Sequence, residues 1–199
     1  MKNSVYNIRM DINKIKPQII ALGGFPGTGK STIVRALRDE FGFPADQIVS
    51  SDRIFKEIYA ERHPGFDMKQ EVPDEFYEDL SGKIALARRF FGQAREIVAS
   101  GKPALIHSAF TSKGGRLTLG LGTLGKPVTG FWLQADRDEL QHRLVDRQRE
   151  NLSHSTSSPE RLKLVFERHA PAPKNWHEIS TQDVTPSQVA AQILQHLEI

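Results

Sequence analysis

The chain carries, directly after the apolar run Ile19–Leu22, the stretch Gly24-Phe25-Pro26-Gly27-Thr28-Gly29-Lys30-Ser31-Thr32. Residues 24–31 fit G-x-x-x-x-G-K-[ST], a phosphate-binding loop (P-loop) between a strand and a helix. Its glycines let backbone N–H groups surround an anion, and the helix beginning near Lys30 adds its positive dipole end. Lys30 is expected to bind nucleotide phosphates and Ser31 to ligate Mg²⁺. The alternative is a glycine-rich turn without a ligand, but the flanking strand and helix patterns favour phosphate binding.

Length and composition are typical of one globular domain. The chain has 199 residues, of which 38% are hydrophobic and 26% are charged. Because it has no cysteine, disulfides, thiol catalysis and cysteine-based zinc sites are excluded. The net charge of only +3 does not favour nucleic acid as a partner. We find neither a signal-peptide core nor an apolar run of the ~20 residues that a membrane span needs, so a cytoplasmic location is expected.

Apolar runs alternate with helical patterns along the chain. The predicted strands are Gln18–Gly23, Gln47–Ser51, Ala104–Ser108, Val128–Gln134 and Trp176–Ser180. The predicted helices are Lys30–Phe41, Asp52–Glu61, Ser81–Ser100, Asp136–Glu150, Pro159–His169 and Pro186–Leu197. This alternation predicts an α/β fold: a five-stranded, mostly parallel sheet inside a three-layer α/β/α sandwich of the P-loop NTPase kind. We expect a single domain over residues 1–199, with an N-terminal extension over residues 1–16.

Asp52 is the candidate catalytic residue. It follows the second predicted strand, at the carboxyl edge of the sheet where ligands of open α/β sheets bind. A carboxylate at that edge can orient an acceptor hydroxyl and take its proton during phosphoryl transfer. Ser51 or Asp52 is also a suitable N-cap for a helix beginning at Arg53, so a purely structural role stays open.

Several motifs together resemble a known family. The P-loop, followed by Ser50-Ser51-Asp52-Arg53, is similar to the zeta-toxin and polynucleotide-kinase-like branch of P-loop kinases, which carry an AAA-type ATP-binding domain. The likeness extends from Gln18 to the C-terminus and includes residues 102–110 and 131–136. It implies ATP and Mg²⁺ as ligands, and it implies that Asp52 accepts the proton of the attacking hydroxyl.

A lid is a further implication of this likeness. Four arginines lie beside a Ser-rich connector, Asn151–Pro159: Arg143, Arg147, Arg149 and Arg161. They resemble the lid arginines of small-molecule and nucleotide kinases, which neutralise the oxygens of the transferring phosphate. We therefore predict a helical lid over residues 143–161, with Arg147 as a catalytic residue and Arg143 as a nucleotide-binding one. The alternative is a solvated helix on which Glu139 pairs with Arg143.

His107 departs from the family's pattern. It ends the third predicted strand, where the resembling kinases carry an acidic residue that holds a magnesium-bound water. Its position at the end of a strand favours a residue of the site that faces Mg²⁺ or substrate. Its residue type equally suits a histidine that is packed at the strand end and has no ligand. Further candidates for binding the acceptor are Arg53, Arg88, Arg89 and Arg116. The loop containing Gln182 and Asp183 is expected to border the adenine.

These expectations converge on ATP-dependent transfer of the γ-phosphate to a hydroxyl of an unidentified small-molecule or nucleic-acid-derived acceptor. Nucleic acid is not favoured because the chain lacks a basic stripe interleaved with aromatic residues. Two alternatives stay open. One is a nucleotide hydrolase that uses water as acceptor. The other is an ATP-binding sensor or pseudokinase that controls a partner, which the histidine at position 107 favours.

Overall fold

A single parallel sheet organises the molecule. The computed structural model describes residues 12–70, 72–73, 75–76, 79–149, 159–168 and 171–197. Within these residues the sheet has the order β2-β3-β1-β4-β5, and every pairing is parallel. The strands are β1 (Ile19–Gly24), β2 (Ile48–Ser50), β3 (Ala104–His107), β4 (Val128–Gln134) and β5 (His177–Ser180). The predicted five-stranded α/β fold is therefore confirmed.

Helices connect the strands and cover the sheet. In the described part of the chain they are α1 (Lys30–Asp39), α2 (Ser51–Arg62), α3 (Leu80–Ala99), α4 (Lys113–Gly122), α5 (Arg137–Arg149), α6 (Pro159–Arg168) and α7 (Pro186–His196). All except α4 were predicted from the sequence. No helix among the described residues combines the length and the apolar character that crossing a bilayer requires.

Two apolar layers hold the helices against the sheet. Successive strand residues face opposite sides, so β1, β2, β3 and β4 each contribute to both layers. On one side, Ile20, Leu22 and Leu105 belong to the core formed with α1 and α7. On the other side, Ile106 and Phe90 belong to the core formed with α2, α3 and α4. The sheet is thus buried on both faces, as the middle layer of a three-layer sandwich.

Helix α4 shows where local sequence patterns were misleading. It contains four glycines in ten residues, a composition that favours a loop. Its formation depends on contacts: the Ser112 side chain caps the helix by accepting a hydrogen bond from the Gly115 N–H, and Leu119 is buried. Gly122 lies so close to the Phe91 ring that a Cβ at this position would overlap it. Glycine is therefore required there by packing.

Strands β1, β2 and β3 bring their carboxyl ends to one edge of the sheet. The P-loop leaves β1 at this edge, and helix α2 begins directly after β2. His107, the last residue of β3, is in register with Leu22 of β1 on one side and with Ser50 of β2 on the other. This edge therefore collects residues that are distant in sequence.

Candidate active site

A cavity of about 800 Å³ opens at this edge of the sheet. The P-loop and the start of α1 line it through residues 26–33, and α7 and the loop before it form another wall. Three residues predicted from the sequence also line this cavity: Asp52, His107 and Arg143. The tertiary structure therefore brings these candidates to one place.

The P-loop lies against β4 and α5. Gly24 has φ +146°, and a Cβ at this position would lie 2.5 Å from the carbonyl oxygen of Leu133. Gly27 has φ +88°, and its Cβ would lie 3.0 Å from the carbonyl oxygen of Leu140. Glycine is needed at both positions because of backbone conformation and close packing. The hydroxyl of Thr28 donates to the Phe25 carbonyl at 2.8 Å, so it stabilises the loop itself.

The Lys30 side chain folds back over the P-loop. Its Nζ donates to the carbonyl oxygens of Gly24 at 2.8 Å and of Phe25 at 2.9 Å. Lys30 also lines the cavity, together with Ser31 and Thr32 at the beginning of α1. The ammonium group is thus held at the mouth of the loop, where the helix N-terminus adds positive potential for an anion.

Phe25 anchors the P-loop to helices α5 and α6. Its ring stacks on Phe166 of α6, with 4.4 Å between the ring centroids, and meets Trp132 edge-on at 5.9 Å. Phe25 also packs against the apolar cluster that Leu140 and Leu144 of α5 form with Leu162 of α6. Helices α5 and α6 are therefore in direct contact with the phosphate-binding loop.

Asp52 lies in the first turn of α2 and is not the helix cap. The helix begins at Ser51, and the Ser50 hydroxyl accepts the hydrogen bond from the Arg53 N–H at 3.3 Å. The expectation that Ser51 or Asp52 caps a helix starting at Arg53 is thus wrong, because the helix starts earlier. The Asp52 carboxylate faces the cavity and accepts a long hydrogen bond from the Ser51 hydroxyl at 3.4 Å.

His107 is buried at the end of β3 yet borders the cavity. Only 8% of its surface is exposed, and burial lowers its pKa to about 4. Asp52 opposes this shift, whereas Lys30 and Arg53 lower the pKa further. The imidazole is therefore neutral at pH 7. It forms no hydrogen bond with any residue that the structure describes.

Arg143 is hydrogen-bonded to the cavity wall that α7 and the loop before it form. Its guanidinium donates from Nη2 to the Thr181 carbonyl at 2.8 Å and from Nε to Glu139 at 2.7 Å. The same wall contains Val184 and Val189, whose apolar side chains suit the flat face of a base. The sequence suggested Gln182 and Asp183 for this role, whereas the cavity is lined by the residues on either side of them. No sequence motif indicates these lining residues; they are identified only by the fold.

Of the other predicted arginines, Arg53 pairs with Glu57 at 3.4 Å and Arg149 with Asp146 at 3.8 Å, and neither lines the cavity. The side chains of Arg147 and Arg161 and the connector at residues 150–158 lie outside the described part of the structure. Among the proposed acceptor-binding arginines, Arg89 pairs with Glu61 at 2.8 Å. Arg116 donates to the carbonyls of Phe110 and Pro171. Both arginines are thus engaged in contacts that hold helices and loops together.

The donor atoms in the cavity suit Mg²⁺. The Ser31 hydroxyl and the Asp52 carboxylate are hard oxygen donors of the type this ion prefers. Among the described residues, no cluster of three or more histidine, cysteine or carboxylate side chains is arranged to hold a metal without further ligands. An ion here would therefore depend on nucleotide phosphates for part of its coordination.

Comparison with known proteins identifies the family. Residues 19–171 match the model of a family described as "AAA domain". The chain belongs to this family. A search among curated proteins gave no match.

Solved structures share the fold of this AAA-domain protein. A putative kinase from Chloroflexus aurantiacus has a TM-score of 0.61 at 22% identity, over 90% of this chain and 98% of that chain. A gluconokinase from Sinorhizobium meliloti has a TM-score of 0.58 at 15% identity, over 92% of both chains. A sugar kinase from Janibacter sp. has a TM-score of 0.61 at 18% identity, over 92% of this chain and 95% of that chain. These likenesses show that the chain shares the fold of these kinases, and the narrower zeta-toxin-like type stays a prediction.

Proposed function

We propose that this protein is an ATP-dependent kinase that transfers the γ-phosphate of ATP to a hydroxyl of an acceptor molecule. The observation that carries the proposal is the Asp52 carboxylate in the cavity that the P-loop lines. A P-loop by itself indicates only phosphate binding, whereas an acid beside it provides a group that can activate an acceptor. That Ser50, and not Asp52, caps α2 supports this role for Asp52.

The nucleotide would bind along the length of the cavity. P-loop amides and the Lys30 ammonium would hold its phosphates at the start of α1. The base would lie against the wall that contains Val184 and Val189, beside the guanidinium of Arg143. This assignment moves Arg143 from the phosphate end of the predicted site to the base end, in keeping with its hydrogen bonds to Thr181.

Transfer would proceed by direct displacement at the γ-phosphorus. The acceptor oxygen forms a bond to that phosphorus while the bond to the bridging oxygen of ADP breaks. Asp52 takes the proton of the acceptor hydroxyl, and ADP leaves with the electron pair of the broken bond. Lys30 stabilises the charge on the phosphate oxygens, and Mg²⁺ bound through Ser31 would supply further neutralisation when present. We retain Arg147 as a proposed catalytic residue from the lid region.

The acceptor is proposed to be a small polyhydroxylated molecule. The named neighbours include a gluconokinase and a sugar kinase, so sugars and sugar acids are the first class to test. Two of the candidate acceptor-binding arginines, Arg89 and Arg116, are held by internal contacts, which weakens the case for a nucleic-acid acceptor.

Incubation with a metabolite extract and ATP labelled on the γ-phosphate tests the proposal. We expect label to appear in one class of hydroxyl-bearing compound. Asp52→Asn is expected to lower transfer by roughly 10²-fold or more while ATP binding persists, the scale of a lost general base. Lys30→Ala serves as the binding-deficient control. Release of labelled phosphate without a labelled compound would instead indicate a hydrolase, and near-wild-type transfer by Asp52→Asn would refute the role given to this carboxylate.

A further inference from the structure

His107 is a largely buried residue whose imidazole makes no hydrogen bond to a residue that the structure describes. Only 8% of its surface is exposed, and that remainder borders the cavity. The ring nitrogens are not among the fully buried atoms that lack a partner, so they are reachable from the cavity. The imidazole is therefore free to bind water, or a molecule or ion that occupies the cavity.

The face of β3 from which the His107 side chain projects indicates which other residues could share a ligand with it. His107 is two residues after Leu105, so both side chains project from the same face of β3. Leu105 belongs to the core that includes Ile33 and Val34 of α1. The imidazole therefore projects toward α1, the helix whose first turn contains Ser31. Ser31 and His107 line the same cavity, and the proposed function binds the ion that accompanies ATP through Ser31.

The chemistry of the ring favours a particular kind of ion. We propose that His107 is a nitrogen ligand of the divalent ion bound with the nucleotide, and that it gives this site a preference for Mn²⁺ or Co²⁺ over Mg²⁺. Mg²⁺ is a hard ion that takes oxygen ligands, whereas first-row transition ions accept imidazole and generally bind mixed nitrogen and oxygen sites more tightly. The donor set would combine the Ser31 hydroxyl, the His107 nitrogen and phosphate oxygens. This inference rests on the proposed binding of ATP at the P-loop.

The surrounding charges are compatible with a cation at this point. The Asp52 carboxylate interacts electrostatically with His107 and would attract a divalent ion. The positive charges of Lys30 and Arg53, which also act on His107, would repel that ion. The phosphates of the nucleotide would outweigh these two positive charges, which explains why the ion would bind with the nucleotide and not before it.

Binding of β,γ-methylene ATP, measured by calorimetry with MgCl₂, MnCl₂ or CoCl₂, tests the metal preference without requiring turnover. We expect the wild type to bind this analogue about tenfold or more tightly with Mn²⁺ or Co²⁺ than with Mg²⁺, the scale of a ligand's effect on metal affinity. His107→Asp replaces nitrogen by oxygen and is expected to shift the preference toward Mg²⁺. His63→Asn is the matched control, because His63 bonds the Tyr59 carbonyl and does not line the cavity.

Pulsed electron paramagnetic resonance of the wild-type Mn²⁺ complex gives an independent test that needs no variant. We expect a nitrogen coupling that changes when the protein is grown with ¹⁵N-labelled histidine. Two results together would overturn the inference and leave the proposed kinase intact. One is the absence of a histidine coupling, and the other is an equal ratio of Mn²⁺-supported to Mg²⁺-supported affinity in the wild type and in His107→Asp. Failure of the analogue to bind with any of the three ions would overturn both the role of His107 and the proposed binding of ATP.

Discussion

The stability of the folded chain is expected to fall on mild acidification because of His107. Burial lowers the pKa of this residue to about 4, against 6.5 for an ordinary histidine. The charged groups that act on it are Asp52, which raises the pKa, and Lys30 and Arg53, which lower it. Between pH 4 and 6.5, the unfolded chain therefore binds a proton at this residue that the folded chain does not bind.

The direction and size of the effect follow from this difference. Proton binding to the unfolded chain favours unfolding, so the stability present above the unfolded pKa is lost as the pH falls through this window. At about 1.4 kcal/mol per pKa unit, the full loss is about 3 kcal/mol, and about 2 kcal/mol of it is reached by pH 5. A loss of this size is a large fraction of the stability of an ordinary domain.

Urea unfolding at pH 8 and pH 5, without nucleotide or divalent ions, measures the effect. The comparison is between the wild type and His107→Gln, whose amide does not titrate. Other titrating groups contribute equally to both proteins, so we expect the wild type to lose about 2 kcal/mol more than the variant between these pH values. Equal losses would refute the argument, because they would mean that the imidazole has the same proton affinity in the folded and unfolded chains.

Two further predictions use matched pairs of variants. Arg147→Ala is expected to lower kcat for the identified acceptor far more than it raises the KM for ATP, as for a contact made in the transition state. Arg38→Ala, at an exposed residue that pairs with Asp39 outside the cavity lining, is expected to change neither, and similar kinetics for both variants would contradict this. Gly130→Ala would push a methyl group into the ring of Trp176 and is expected to cost about 1–3 kcal/mol in urea unfolding. Gly120→Ala, with open space around its Cβ, is expected to gain roughly 0.5–1 kcal/mol, and equal effects of the two alanines would refute the packing argument.

Much of the architecture could be predicted from local patterns. The apolar run before the P-loop, the helix after it and the C-terminal helix that begins at Pro186 all appear in the structure. These features depend on residues within a few positions of each other, which is why the sequence alone indicates them. Helix α4 was missed for the same reason: its glycines favour a loop locally, and its packing against Phe91 comes from a distant helix.

The candidate site was predicted less completely than the fold. Asp52 and the P-loop were identified from their order along the chain, and both border the cavity. The wall of the cavity that contains Thr181 and Val184 carries no sequence motif, and it is identified only from the packing of α7 beside α1. Arg143 was predicted to bind the nucleotide as a lid arginine; the structure shows its guanidinium hydrogen-bonded to Thr181, and its role toward a nucleotide stays a prediction.

The sequence by itself determined the phosphate-binding loop, the class of fold and the acid beside the loop, because each depends on short-range pattern and chain order. Only the tertiary structure decided the strand order, which inserts β3 between β1 and β2. That order brings His107 beside Leu22 and Ser50, residues far away in the chain, and so buries a histidine at the mouth of the site. Its low pKa and its unpartnered ring arise from that burial, which no local pattern encodes.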